Sequence, residues 1–141
     1  MKGILFSITA GLCITLQGIF NSKMSDHISG WHISSIVHLV GFILCLSIYF
    51  FVRDGNKAGM KQVPPIYFFG GAFGVIVVFS ELTAINMMGP ASAIAILLVA
   101  QLIAAFLIEA RGWFGEKKLK ITGNQWVGIA MIVSGVVIFK L

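Results

Sequence analysis

Apolar residues in this chain do not recur at an amphipathic helical period. They run almost unbroken over five stretches: Gly3–Ser22, Trp31–Val52, Ile66–Met88, Ala91–Ile108 and Asn124–Phe139. A transmembrane helix takes about 20 apolar residues, with a lower limit near 17. Each stretch therefore predicts a membrane-spanning helix, the last two being short. The breaks carry the expected punctuation. Lys23–Gly30 is polar, and Arg53–Lys61 (RDGNKAGMK) is dense in charge, glycine and asparagine. Val63-Pro64-Pro65 suits a helix start, and Met88-Gly89-Pro90 stops one helix with almost no loop before the next. The first run continues past Gln17 without a small-x-small cleavage site, so it is read as a span and not as a signal peptide.

Composition agrees with the pattern. Of 141 residues, 58% are hydrophobic and 11% charged, with a mean hydropathy of +0.98, whereas soluble domains carry about 25% charged residues. The expected fold is a single all-α transmembrane domain of five helices. The net charge of +5 is a matter of topology and not of nucleic-acid binding. Eight positive residues (Lys2, Arg53, Lys57, Lys61, Arg111, Lys117, Lys118 and Lys120) share one face, and two (Lys23 and Lys140) the other. The positive-inside rule then places the N-terminus in the cytoplasm and the C-terminus outside. Cys13 and Cys45 fall within spans and predict no disulfide. The histidines show no metal-ligand spacing, and no catalytic set or phosphate loop is visible. No metal, cofactor or enzymatic activity is expected.

Chemistry is confined to the few polar groups inside the spans. Glu81 sits roughly 6 Å past the middle of the third, too deep to reach the headgroups. A carboxylate there costs about 2.5–3.5 kcal/mol on insertion scales, so it should face a polar partner or a water-filled cavity. Val77 or Val78, Gly74 and Gly70 precede it by helical turns, which puts the acid on a glycine-lined face open to another helix. Gln17 and Asn21 share a face of the first helix, where their amides can bridge to a neighbouring helix or grip a solute. His38, two turns into the second helix, can relay protons, pair with Glu81, or hydrogen-bond a carbonyl or serine across the bundle. Gln101 is the deep polar group of the fourth helix. Gly128 and Gly135 of the fifth predict an association seam or incidental lipid-facing glycines.

An odd number of spans puts the termini on opposite faces, so a repeat of this unit would be inverted. The chain carries no internal duplication and reads as half of an inverted-repeat transporter, requiring a second copy or a paralogous partner. The Gln17…Asn21 helix with its glycines, the tight GPASA link, LLVAQLIAAFLIEARGWFG and the closing QWVGIAMIVSGVVIF resemble the small YdcZ-type proteins of the drug/metabolite transporter superfamily. The likeness runs over essentially the whole chain. It implies a bacterial inner-membrane exporter of about five spans, with a last helix similar to the dimer-forming helix of the small multidrug resistance branch. Glu81 matches no family motif, and its coupling role rests on burial alone. Together these observations predict a dimeric secondary transporter, exporting a small organic or cationic solute in exchange for protons. Glu81, His38, Gln101, Gln17 and Asn21 would line its cavity. A lipid or lipid-linked sugar flippase, or an accessory subunit of a membrane complex, are the alternatives.

Overall fold

The computed structural model describes residues 1–52, 62–115, 118 and 122–140. The charged loop at 53–61, and with it Arg53, Lys57 and Lys61, lies outside the described residues, as do Lys117 and Lys120. Five α-helices are described: α1 (Lys2–Met24), α2 (Gly30–Val52), α3 (Ala72–Met88), α4 (Pro90–Arg111) and α5 (Gly123–Lys140). No strand occurs among the described residues, so the protein is all-α. Four helical segments are long and apolar enough to cross a membrane: Lys2–Met24, Gly30–Val52, Pro65–Met88 and Pro90–Arg111. The apolar part of α5, Gly123–Phe139, is shorter.

Two expectations about boundaries are corrected. The third span is not one α-helix from Ile66. It opens as a 3₁₀ helix over Pro65–Gly71 and becomes α-helical only at Ala72. Pro64, itself followed by proline, is held extended at φ −55° and ψ 136°, and its carbonyl accepts the Tyr67 N–H at 3.1 Å. Gly70-Gly71 then gives little α-helical preference at the far end of that turn. With its greater rise per residue, the 3₁₀ stretch lengthens the segment to roughly 40 Å. Glu81 consequently lies about 10 Å from the Met88 end, deeper past the midpoint than a uniform α-helix implies.

The fourth helix runs to Arg111 instead of ending at Ile108. Glu109, Ala110 and Arg111 end the apolar run but are sound helix formers. The helix stops only at Gly112, whose φ of 66° and ψ of 35° is the left-handed cap that glycine adopts without a Cβ penalty. At the other end Gly89, with φ 81° and ψ 159°, turns the chain so that Pro90 can occupy the first helical position. The fifth helix begins with a side-chain cap. The Gln125 side-chain oxygen accepts the Thr122 N–H at 3.0 Å.

Most large apolar side chains are exposed on the chain, as expected where the solvent is lipid. Hydroxyls within the helices turn back on their own backbone. Ser7, Thr15, Ser35, Ser47, Thr83 and Ser134 each donate to the carbonyl four residues earlier at 2.7–3.0 Å. In a medium without water this satisfies the group locally and leaves no donor for a neighbour.

The chain divides into two compact units, 1–83 and 84–141. In the first, α1 packs on α2, and α2 lies antiparallel to α3, as shown by contacts at both ends of their interface. The His38 ring lies against Gly74, while Gly30 meets Phe79 and Leu82. Trp31 stacks on Phe79 with centroids 4.3 Å apart and planes 18° from parallel. Ile33, Val78 and Leu82 form the small core between these helices, with Val37 against it. In the second unit α4 packs on α5, where Phe106 meets Trp126 edge-on at 5.3 Å.

Candidate functional site

The first unit holds an open groove of about 590 Å³ between α1, α2 and α3, walled by Gln17, Val37, His38, Gly41, Gly74 and Val78 among others. His38 is the feature that shapes it. Its Nδ1 lies 2.7 Å from the Ser34 carbonyl oxygen, one turn back on α2. A carbonyl only accepts, so Nδ1 carries the hydrogen, and in the neutral ring Nε2 keeps its lone pair. That Nε2 stands over Gly74, 2.9 Å from where a Cβ would project. Glycine at 74 is what lets the imidazole lie against α3. The sequence allows His38 a hydrogen bond to a carbonyl or serine across the bundle; the carbonyl bond that is present lies instead within its own helix.

One helical turn beyond the groove wall lie further buried polar residues. Moving toward the Met24 end of α1, Gln17 is followed four residues on by Asn21, 3% exposed. Along α3, Val77 of the groove wall is followed four residues on by Glu81, 4% exposed. Along antiparallel α2, His38 is preceded by Ser34, which is buried and whose hydroxyl reaches toward the Val75 carbonyl at 3.5 Å. His38 against Gly74 and Gly30 against Leu82 put Ser34 level with Val78, so Glu81 lies about one further turn along the same direction.

Two atoms of these residues are unsatisfied. Glu81 Oε1 and Asn21 Nδ2 are fully buried and have no hydrogen-bond partner among the described residues. Buried polar groups are normally paired, because each that is not costs about 1–3 kcal/mol. Glu81 is buried on the chain, but among the described residues Oε1 has no polar partner, and Glu81 lines neither this groove nor the one between α4 and α5. Its burial comes from position: Val78 and Leu82, three before and one after it, pack into the α2 interface.

The remaining candidates are spread more widely. Gln17 is exposed into the groove. Gln101 is exposed at mid-height on α4. Gly74 makes the close contact described, whereas a Cβ at Gly70, Gly128 or Gly135 would meet nothing within 4 Å. Gly128 borders a second groove of about 300 Å³ between α4 and α5, together with Phe106, Glu109 and Gln125. Sequence reasoning missed Ser34 as the acceptor that orients His38. A backbone carbonyl leaves no residue signature, although the Ser34–His38 spacing of one turn was available. It also missed the Gln125 cap on Thr122, although the Thr-x-x-Gln pattern is plain.

No curated protein and no solved structure matches the chain. A family model does, the one described as "Putative inner membrane exporter, YdcZ", and it extends over residues 3–138. The match takes in nearly the whole of all five helices and every polar group discussed above, and on that footing the chain belongs to the DMT_YdcZ family of inner-membrane proteins.

Proposed function

We propose that this protein is a secondary transporter that exports a small organic cation in exchange for protons, with Glu81 as the coupling group. The observation that carries this is a carboxylate buried in an apolar helix, with one oxygen unpartnered, one turn beyond an open groove. Such a group can hold a proton or a cationic solute but not both, and that exclusion is the whole of the coupling. The free Nε2 of His38 supplies a proton acceptor on the way to it, and Gln17 supplies an amide at the groove wall. Gln101 is assigned the same lining role in the assembled transporter.

The working unit is a dimer, with a second copy or a paralogue, that gives alternating access by rocking one half against the other. Gly128 and Gly135, open on α5, supply an association seam. The eight-to-two distribution of positive residues supports a cytoplasmic N-terminus and an external C-terminus. It also favours a parallel homodimer or a partner of opposite bias over an inverted pair of identical chains. In liposomes, Glu81→Gln should abolish flux driven by a pH gradient while leaving insertion intact. Unchanged flux would remove Glu81 from the mechanism.

The apolar character of much of the groove wall, with Phe42 and Val77 exposed along an open side, supports a second reading as a flippase for a lipid-linked solute. Translocation of a fluorescent lipid with no dependence on Glu81 would favour it.

A further inference from the structure

The two buried atoms without partners are of opposite kind. Asn21 Nδ2 can only donate, and Glu81 Oε1, as a carboxylate oxygen, can only accept. They stand on different helices of the same unit, each one turn beyond the groove wall. The contacts that fix the register are Gln17 and His38 in one groove, His38 over Gly74, and Gly30 against Phe79 and Leu82. They put Asn21 and Glu81 beyond the same end of the groove, each about one helical turn past its wall. Neither atom satisfies the other.

A solute that satisfies both must present an acceptor to Asn21 and a charged N–H to Glu81 at one time. We infer that Asn21 and Glu81 form a two-point recognition site for small ammonium solutes bearing an adjacent hydroxyl or carbonyl oxygen, the amino alcohols being the simplest class. A bare alkylammonium meets only half of the site and leaves Asn21 Nδ2 buried without a partner, which is the costly case. A neutral alcohol meets the other half and leaves the carboxylate uncompensated. Val78 and Leu82 flank Glu81 on α3 and pack with Ile33 into a core, which favours small solutes over bulky ones. Discrimination here rests on the export reading only in taking Glu81 as the cation site, and binding can be measured without transport.

The test uses the purified full chain in lipid nanodiscs, with ethanolamine and ethylammonium as probes and binding read by calorimetry. The expected result is about tenfold tighter binding of ethanolamine, the worth of one satisfied buried hydrogen bond. Asn21→Leu should remove that preference by weakening ethanolamine binding about tenfold, and Glu81→Gln should weaken both probes. Equal affinities in the wild-type protein, or binding of neither probe, would overturn the inference without recourse to any variant. A fall in both affinities in Asn21→Leu would overturn it as well, provided Asn21→Gln, which keeps the donor, retains them. Loss of pH-driven flux in Glu81→Gln alongside equal probe affinities would leave the exporter reading standing and this one refuted.

Discussion

The Nε2 of His38 occupies the space where Gly74 would carry a Cβ, 2.9 Å from that position. The ring is tethered from behind by Nδ1 on the Ser34 carbonyl, so it cannot swing away without losing a hydrogen bond. Gly74→Ala should therefore push the imidazole out of its seat and destabilise the α2–α3 contact by about 1–3 kcal/mol, the usual cost of overpacking. The coupling is specific. In the His38→Ala background the same alanine should cost little, a non-additivity measurable by a double-mutant cycle in detergent unfolding.

The stack of Trp31 on Phe79 closes the same interface at its other end. Replacing either ring with leucine should cost about 0.5–1.5 kcal/mol beyond the lost apolar area. Replacing both should cost less than the sum. Unfolding titrations of the two single variants and the double variant check this, and simple additivity would show that the rings do not act as a pair.

These contacts mark how far sequence pattern reaches. Long apolar runs placed the helices, because bilayer thickness and backbone hydrogen bonding leave few other solutions. Pattern could not see the 3₁₀ opening at Pro65–Gly71, since an apolar side chain carries no record of which carbonyl its N–H will find. The apolar run alone ended the fourth span at Ile108, whereas the helix continues through Glu109 to Arg111, because loss of apolar character marks the membrane interface and not the helix end. At the site, the buried acid was legible from its isolation in an apolar run. The orientation of His38 was not, because it depends on a main-chain acceptor and on a glycine of another helix. Gln17 and Asn21 were legible as a face, but only the fold separates them into one exposed wall residue and one buried donor.

Cys45 belongs to the groove that Gln17 and His38 line, whereas Cys13 does not; both are free thiols exposed on the chain. A water-filled groove predicts that Cys45 in a Cys13→Ala background reacts with a membrane-impermeant maleimide in intact proteoliposomes. Cys13 in a Cys45→Ala background should stay unlabelled, because lipid faces it. Equal labelling of the two thiols would mean that the groove is not a solute path.

A cytoplasmic N-terminus places the turn between α1 and α2 outside the cell. Asp26 in that turn is exposed, so Asp26→Cys in a cysteine-free background should be labelled from the periplasmic side by a charged reagent. Protection until the inner membrane is breached would reverse the assigned orientation.

Proton-coupled export makes one demand above the others: the buried carboxyl must give up its proton when the cation arrives. Proton release can be read directly from purified protein in weakly buffered detergent, with a pH dye, on addition of ethanolamine. Wild type should release about one proton per solute bound where the carboxyl starts protonated, and apparent affinity should rise up to about tenfold per pH unit across that range. Glu81→Gln should release none and bind without pH dependence. Proton release persisting in Glu81→Gln, or wild-type binding that releases no proton at any pH, would contradict a coupling role for Glu81.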